Sequence, residues 1–334
     1  LVGTVKNEDA RGVQIAIKKG EQFVPAGDII DIHYDEVKPV KLTLSGGAYL
    51  EAKKAEAEAD AATDPALRRT ATTNAIKHYK ETMAQMKPPH KYAARNFDYK
   101  VAVLTLRQAQ GDPIAMKDAM ARLDSFKTRY PNSWQINQIV PTLAQLQMDA
   151  KDFKGAIATY QEMADLEVFP VEVRRNAELM VVQVTVKSGD FKGAQKKLDD
   201  IEKKAAGNVP FLSRVKMTRA ELLVGEKKID QAVPILKQLI KDNKDAQIKA
   251  EAHNTLGECL FKSNRYSEAV WEFLYVDAVY NQDRNERAKA LYYLWKTFEQ
   301  LNNDERSKEC RRMLMNDPQF QGSEWRLRAS KEGS

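Results

Sequence analysis

Cysteine is nearly absent: Cys259 and Cys310 are the only two in 334 residues. That excludes a disulfide framework and any metal site built on CxxC pairs. Two buried thiols are the expectation, with a tether between structural units as the alternative. Glycine (15) and proline (12) are scarce, which suits a helical chain and argues against disorder. No apolar run reaches the ~18 residues a membrane helix needs. The longest, around Leu179–Val186 and Val270–Val279, are interrupted by polar groups. The sequence holds no GxxxxGK(S/T), no GxGxxG after a strand, no HExxH and no GxSxG. Four histidines, His33, His78, His90 and His253, are scattered over a strand, helix faces and a proline-linked loop, with no motif that marks a catalytic pair. His253 reads as a surface or interface residue rather than a base. Asp28, Asp31 and Asp35 lack the glycine-bearing loop of a calcium site and read as solvated strand edges. No catalytic residue, cofactor or metal is expected, so the chain reads as a non-enzyme.

Charge of one sign is also modest. The net charge is +6 with a pI near 9.0. The first 44 residues hold 6 Lys/Arg and 7 Asp/Glu, so the basic excess lies beyond them. Basic doublets such as Arg68-Arg69, Arg174-Arg175, Lys203-Lys204 and Arg311-Arg312 are interleaved with acids. They read as solvated surface, and no nucleic acid is expected as a partner. Acidic pairs involving Glu58, Asp60, Glu258, Glu268 and Glu272 read as solvated helix faces.

What is present divides in two. Residues 1–44 are short alternating segments: LVGTVKNED, GVQIAIKKG and FVPAGDIIDIHYD. Val13, Ile15 and Ile17, and again Ile30, Ile32 and Tyr34, have the period of strands. With a fourth run, Val40–Leu44, they predict a small SH3-like or Sm-like β-module. The chain begins inside this module and without Met, so a signal segment upstream is expected. From residue 45 the pattern is helical. Thr63-Asp64-Pro65 ends one helix and starts the next, with Asp64 as cap.

Beyond that, one unit recurs. Ala119, Ala156, Ala194, Ala232 and Ala269 are spaced by 37, 38, 38 and 37 residues. Each is followed four residues on by Leu123, Tyr160, Leu198, Leu236 or Phe273. Seven residues on come Phe126, Met163, Ile201, Leu239 and Val276. A further step reaches Ser307, in a degenerate last unit. A constant period of this length is the mark of a solenoid. The small residue lets two helices approach, and the large ones fill the grooves of the neighbouring hairpin. Asp152, Asp190 and Asn264 suit entry into the second helix. Pro141 predicts a helix starting near it, and Pro234 a position in a first turn.

LGECLFKSNRYSEAVWEFLYV, KDFKGAIATYQEM and SGDFKGAQKKLDDI resemble tetratricopeptide repeats, in the pattern of Leu-Gly, an aromatic before the second helix, Ala, then an aromatic. The period exceeds the usual length of about 34, which implies longer helices or loops. FKTRYPNSWQINQIV and the C-terminal aromatic segment are similar to repeats of the bacterial envelope, in the periplasmic Tol–Pal coordinator and the lipoprotein of the outer-membrane barrel assembly machinery. Those carry Tyr-Pro-x-Ser between units, matched by Tyr130-Pro131-Asn132-Ser133. The resemblance covers roughly residues 48–320. It implies a mainly α fold: a right-handed tetratricopeptide-like solenoid at 45–320, after the β-module of 1–44 and before a basic tail at 321–334.

The resemblance also implies a working surface. In such arrays it is the concave face lined by the first helices. In chaperone adaptors that face carries a clamp of Lys and Asn. The matching places here hold Leu179 and Gln183, Met217 and Glu221, and Asn254 and Glu258, so the clamp is missing and a chaperone's C-terminal carboxylate is disfavoured. Candidate partner-binding residues are Gln145, Gln183, Glu221, Glu258 and Phe261. Trp325, Arg326 and Arg328 either cap the array or dock on another chain. The expected function is a protein-binding scaffold of the bacterial cell envelope, periplasmic or exported, whose partners are other proteins or copies of itself. The rivals are a self-assembling structural subunit, a fibre or surface assembly built by end-to-end or β-module-to-solenoid contacts, and a hydrolase or nuclease with a spatially assembled site.

Overall fold

The computed structural model describes residues 1–34, 47–86, 90–205 and 207–332. They form two compact units, Leu1–Glu178 and Leu179–Ser334.

The first unit opens on an antiparallel meander, β1 (Thr4–Asp9), β2 (Gly12–Ile17) and β3 (Gly20–Pro25), in the order β1-β2-β3. Val5 faces Ile15 and Val13 faces Val24 across the sheet. Gly12 is required at the first turn, because a methyl group there would lie 2.0 Å from the Val24 carbonyl oxygen. Pro25 ends β3, since proline cannot donate to a ladder. The strand expected over Ile30–Tyr34 does not form. After a single 3-10 turn (Ala26–Asp28) the chain runs on to Tyr34 without a sheet partner among the described residues. Its backbone is satisfied by distant side chains instead: Tyr49 meets the Tyr34 amide, and Asn96 donates to the Ile32 carbonyl. Ile30 consequently points to solvent, 97% exposed. The expected fourth run, Val40–Leu44, and Asp35 lie outside the described residues. Among the described residues the module is a three-stranded sheet.

Three helical hairpins follow in this unit: α1 (Ala48–Ala61) with α2 (Pro65–Gln85), α3 (Lys91–Gln108) with α4 (Pro113–Arg129), and α5 (Ile136–Asp149) with α6 (Phe153–Asp165). Asp64 caps α2 by accepting from the Ala66 and Leu67 amides, with Pro65 in the first turn as expected. The sheet packs on the helices through Val13, Ala26, Ile29 and the fully buried Trp134. A polar tie reinforces this contact. The buried Glu8 carboxylate of β1 accepts hydrogen bonds from the Tyr34 hydroxyl and from Arg95 of α3. Asp31 is salt-bridged to Lys100 at 2.7 Å.

Helix α7 (Val171–Lys187) leads into the second unit. There α8 (Phe191–Lys204) is followed by the hairpins α9 (Val209–Gly225) with α10 (Ile229–Asp242), α11 (Ala246–Lys262) with α12 (Tyr266–Ala278), and α13 (Arg284–Gln300) with α14 (Asp304–Asn316). A last helix, α15 (Glu324–Glu332), packs on α13 and α14. The periodic small residues Ala119, Ala156, Ala194, Ala232 and Ala269 have no exposed surface, and Ser307 is buried in the same place. Among the described residues no helix is long and apolar enough to cross a membrane. Both cysteines are buried free thiols, and burial pushes them up, Cys259 to about 11 and Cys310 to about 12.

The turns inside the hairpins are nearly identical. Lys151, Gly189, Lys227, Asn264 and Asn302 all adopt positive φ, at steps of 38, 38, 37 and 38 residues. The amide after each reaches a carbonyl five residues back: Asp152 to Gln147, Asp190 to Thr185, Lys228 to Leu223, Arg265 to Leu260, Asn303 to Phe298. This is the Schellman closure of a helix. Asp152 and Asp190 then cap the second helix as expected, through the Gly155 and Gly193 amides. Asn264 does not cap; it takes the left-handed position, which asparagine tolerates, and Arg265 stands at the cap. Both prolines also sit deeper than expected. Pro141 and Pro234 are each the sixth residue of their helix, in the second turn.

Candidate functional site

In the second unit α9, α11 and α13 lie side by side, and α10, α12 and α14 form the other layer. The paired layers bury the large residues of the repeat. Polar residues of the first-helix layer are left on its other face, at fixed distances before the left-handed turn residue. Six residues before it stand Gln183, Glu221, Glu258 and Lys296. Thirteen before it stand Arg214, Glu251 and Lys289. The second set was not picked out from the sequence, although the same count from the turn would have found it.

Glu221, Glu251, Glu258 and Lys289 fall in one cluster with Arg214 beside Glu251, whereas Lys296 pairs with Glu299 and Glu332. Glu258 is ion-paired with Lys289 at 2.5 Å and accepts the Tyr293 hydroxyl at 3.0 Å. Burial works to raise its carboxyl, but Lys289, Lys262 and Tyr293 outweigh it and hold the group below the usual range. Glu258 is therefore not a solvated helix-face acid. Glu251 is held by Gln247 at 2.9 Å; burial and the neighbouring Glu286 push it up. Glu286 accepts from Asn254 Nδ2 at 2.7 Å. Asn254 is fully buried, and its Oδ1 has no donor among the described residues. Glu221 is half-buried with neither a hydrogen bond nor an ion pair among the described residues. Burial pushes it up to about 7; Glu251 and Glu286 add to this, and Lys289 and Lys187 oppose it.

The other expected residues are placed differently. Gln183 donates to Thr218 at 3.1 Å, joining α7 to α9 on this face. Gln145 belongs to the first unit, where it is exposed and bonded to Asp149. Phe261 is packed edge-on against Tyr266 and Tyr293, so its ring is filling rather than offered. Trp325 lies against Tyr292 and Tyr293, with ring centroids 5.3 and 5.7 Å away. Arg328 stacks over Tyr292 and bonds Glu332, and Arg326 donates to the Asp317 carbonyl. These three residues form part of a cap on the last hairpin. His253 is not at the surface: it is buried between the rings of Tyr275 and Tyr280, with Nδ1 2.7 Å from the Glu272 carboxylate. Among the described residues no group of three or more His, Cys, Asp or Glu is placed to hold a metal ion.

No protein-family model matches the chain, and no curated protein matches its sequence. Solved structures do match in fold. A tetratricopeptide repeat protein from Parabacteroides merdae superimposes over 85% of this chain and 100% of its own, with a TM-score of 0.56 at 14% identity. This is the tetratricopeptide-repeat fold. A Rap protein complexed with competence and sporulation factor is also similar, over 84% of this chain and 80% of its own, with a TM-score of 0.54 at 13% identity. At these identities the similarity establishes architecture. On the first-helix face the carboxylates Glu221, Glu251 and Glu286 interact with one another and with Lys289, which pairs with Glu258; Lys187 and Arg214 also act on the group.

The unpaired Glu221 gives a pH-dependent expectation. Its folded pKa of about 7 lies above the reference value of 4.5. Between these values the folded chain holds a proton that the unfolded chain releases, so stability falls as pH rises through this window. Glu221→Gln removes the dependence. Relative to wild type, the variant gains about 2 kcal/mol at pH 8 after allowance for solvent screening, and about nothing at pH 4. Urea unfolding at both pH values measures it. An equal effect at the two would refute the assignment.

Proposed function

We propose that the chain is a non-enzymatic scaffold that binds an extended segment of a partner protein along the face of α9, α11 and α13. One observation carries this reading. Half-buried polar side chains recur in phase on the layer of first helices, away from the apolar contacts that hold the layers together. A recurring face of this kind presents equivalent groups at successive repeats, which suits an extended ligand. The similar Rap fold occurs complexed with competence and sporulation factor. An envelope location is part of the proposal and rests on the Tyr130-Pro131-Asn132-Ser133 match. The rival reading, self-assembly end to end, is disfavoured because α15 lies against α13 and α14, where a following hairpin would stack.

A random peptide library displayed against the full chain tests the reading. Selected peptides carrying a photo-crosslinker are expected to label α9, α11 and α13, and to bind more weakly to a Gln183→Ala/Glu221→Gln variant. Labelling confined to α10, α12 and α14 would overturn it.

A further inference from the structure

We infer that the partner segment is basic, with arginine or lysine side chains seated among Glu221, Glu251 and Glu286. The inference rests on the binding face proposed above and names the chemistry of what it takes. Five carboxylates of the cluster stand against four cations. From α9 come Glu221 and, at its edge, Arg214. From α11 come Glu251, Glu258 and the flanking Lys262. From α13 come Asp283, Glu286, Lys289 and the Tyr293 hydroxyl. From α7 comes Lys187. Lys289 and Tyr293 both touch Glu258, and the Lys289 ammonium also lies in the field of Glu286 and Glu221. Among the described residues Glu221 has no hydrogen bond or ion pair, and Glu251 and Glu286 are held by the neutral amides of Gln247 and Asn254.

Asn254 supplies an independent sign. It is fully buried and its Nδ2 donates to Glu286, yet its Oδ1 has no donor among the described residues. A buried acceptor beside unmatched carboxylates marks a place short of donors. Guanidinium and ammonium groups carry donors and no acceptor, and a guanidinium can span two carboxylates. The elevated carboxyls of Glu221 and Glu251 fit the same reading, since an arriving cation favours their charged forms. The chain as a whole carries +6, so attraction of a basic peptide has to come from this local field rather than from net charge.

Fluorescence anisotropy of labelled dodecapeptides tests this on the full chain. In a Gly/Ser background the peptides carry four arginines, four glutamates or no charge. At pH 8 and low ionic strength the arginine peptide is expected to bind best. Glu251→Gln/Glu286→Gln weakens it by at least about tenfold, and Glu268→Gln/Glu305→Gln, at exposed acids elsewhere, leaves it unchanged. Its affinity rises from pH 6 to pH 8, and Glu221→Gln flattens that rise. Melting temperatures confirm that the variants fold. If neutral or acidic peptides bind this face as well as the arginine peptide, the basic partner is wrong and the binding face stands. If the arginine peptide binds but is indifferent to the groove variants, the inference also falls. If no peptide of any charge binds, both readings fall.

Discussion

Glu8→Ala will destabilise the first unit by about 3–5 kcal/mol. The reason is what the substitution leaves behind. Glu8 and Arg95 are almost without exposure, and the carboxylate is the acceptor for both Arg95 and the Tyr34 hydroxyl. Burial and the neighbouring Glu8 raise the Tyr34 phenol, so it stays a donor. With Glu8 gone, a buried guanidinium keeps its desolvation cost and loses its counter-charge. Arg95→Ala exposes the mirror problem and costs a similar amount. Replacing both residues by apolar ones of similar volume, Glu8→Leu with Arg95→Met, is expected to recover most of the loss, because a desolvated pair is often no better than an apolar contact. Hydrogen exchange of peptides from β1–β3 and α3 reads the effect locally. Unchanged protection in Glu8→Ala would show that the tie is dispensable.

The second large effect is expected at Phe273. Its ring is fully buried, stacks on Tyr293 with an interplanar angle of 7° and a centroid distance of 5.2 Å, and lies over Gly257. Phe273→Ala opens a cavity between α11, α12 and α13 and is expected to cost about 3–5 kcal/mol. Gly257 sharpens the test. A methyl group there would meet the Phe273 ring at 2.6 Å, so Gly257→Ala alone costs about 1–3 kcal/mol through overpacking. In the Phe273→Ala background the same methyl enters empty space, and its cost should vanish or reverse. Denaturant unfolding of the four proteins closes the cycle. Strictly additive effects would mean that the ring and the glycine do not meet in solution.

Legibility in the sequence followed the range of the interaction. Helical hairpins, the column of small residues, and the Asp64, Asp152 and Asp190 caps depend on neighbours within a few positions, and the spacing alone located them. The Ile30–Tyr34 run was misread because its alternation is genuine but its hydrogen bonds go to Tyr49 and Asn96, far along the chain. Glu8 looks like the polar side of an alternating strand, and nothing nearby announces Arg95. At the candidate face, Gln183, Glu221 and Glu258 were found by phase. Their different states were not legible: Glu258 pairs with a lysine on the next hairpin, and Glu221 pairs with nothing among the described residues. His253 was misplaced for the same reason, since its acid and both of its rings come from beyond its own helix.

The five matching turns have a consequence for rearranging the chain. Each join consists of a left-handed residue, a six-residue amide closure and a helix entry, whatever the side chains nearby. Cutting after one left-handed residue and splicing after another therefore preserves the backbone chemistry on both sides. The segment from Asp190 to Lys227 is such a cassette, and a second copy placed after Lys227 would lengthen the array by one period with no new type of junction. What limits such recombination is the pairing of faces, of which the Phe273–Tyr293 stack is one example. The joins are generic, while the contacts between successive cassettes are specific to their order.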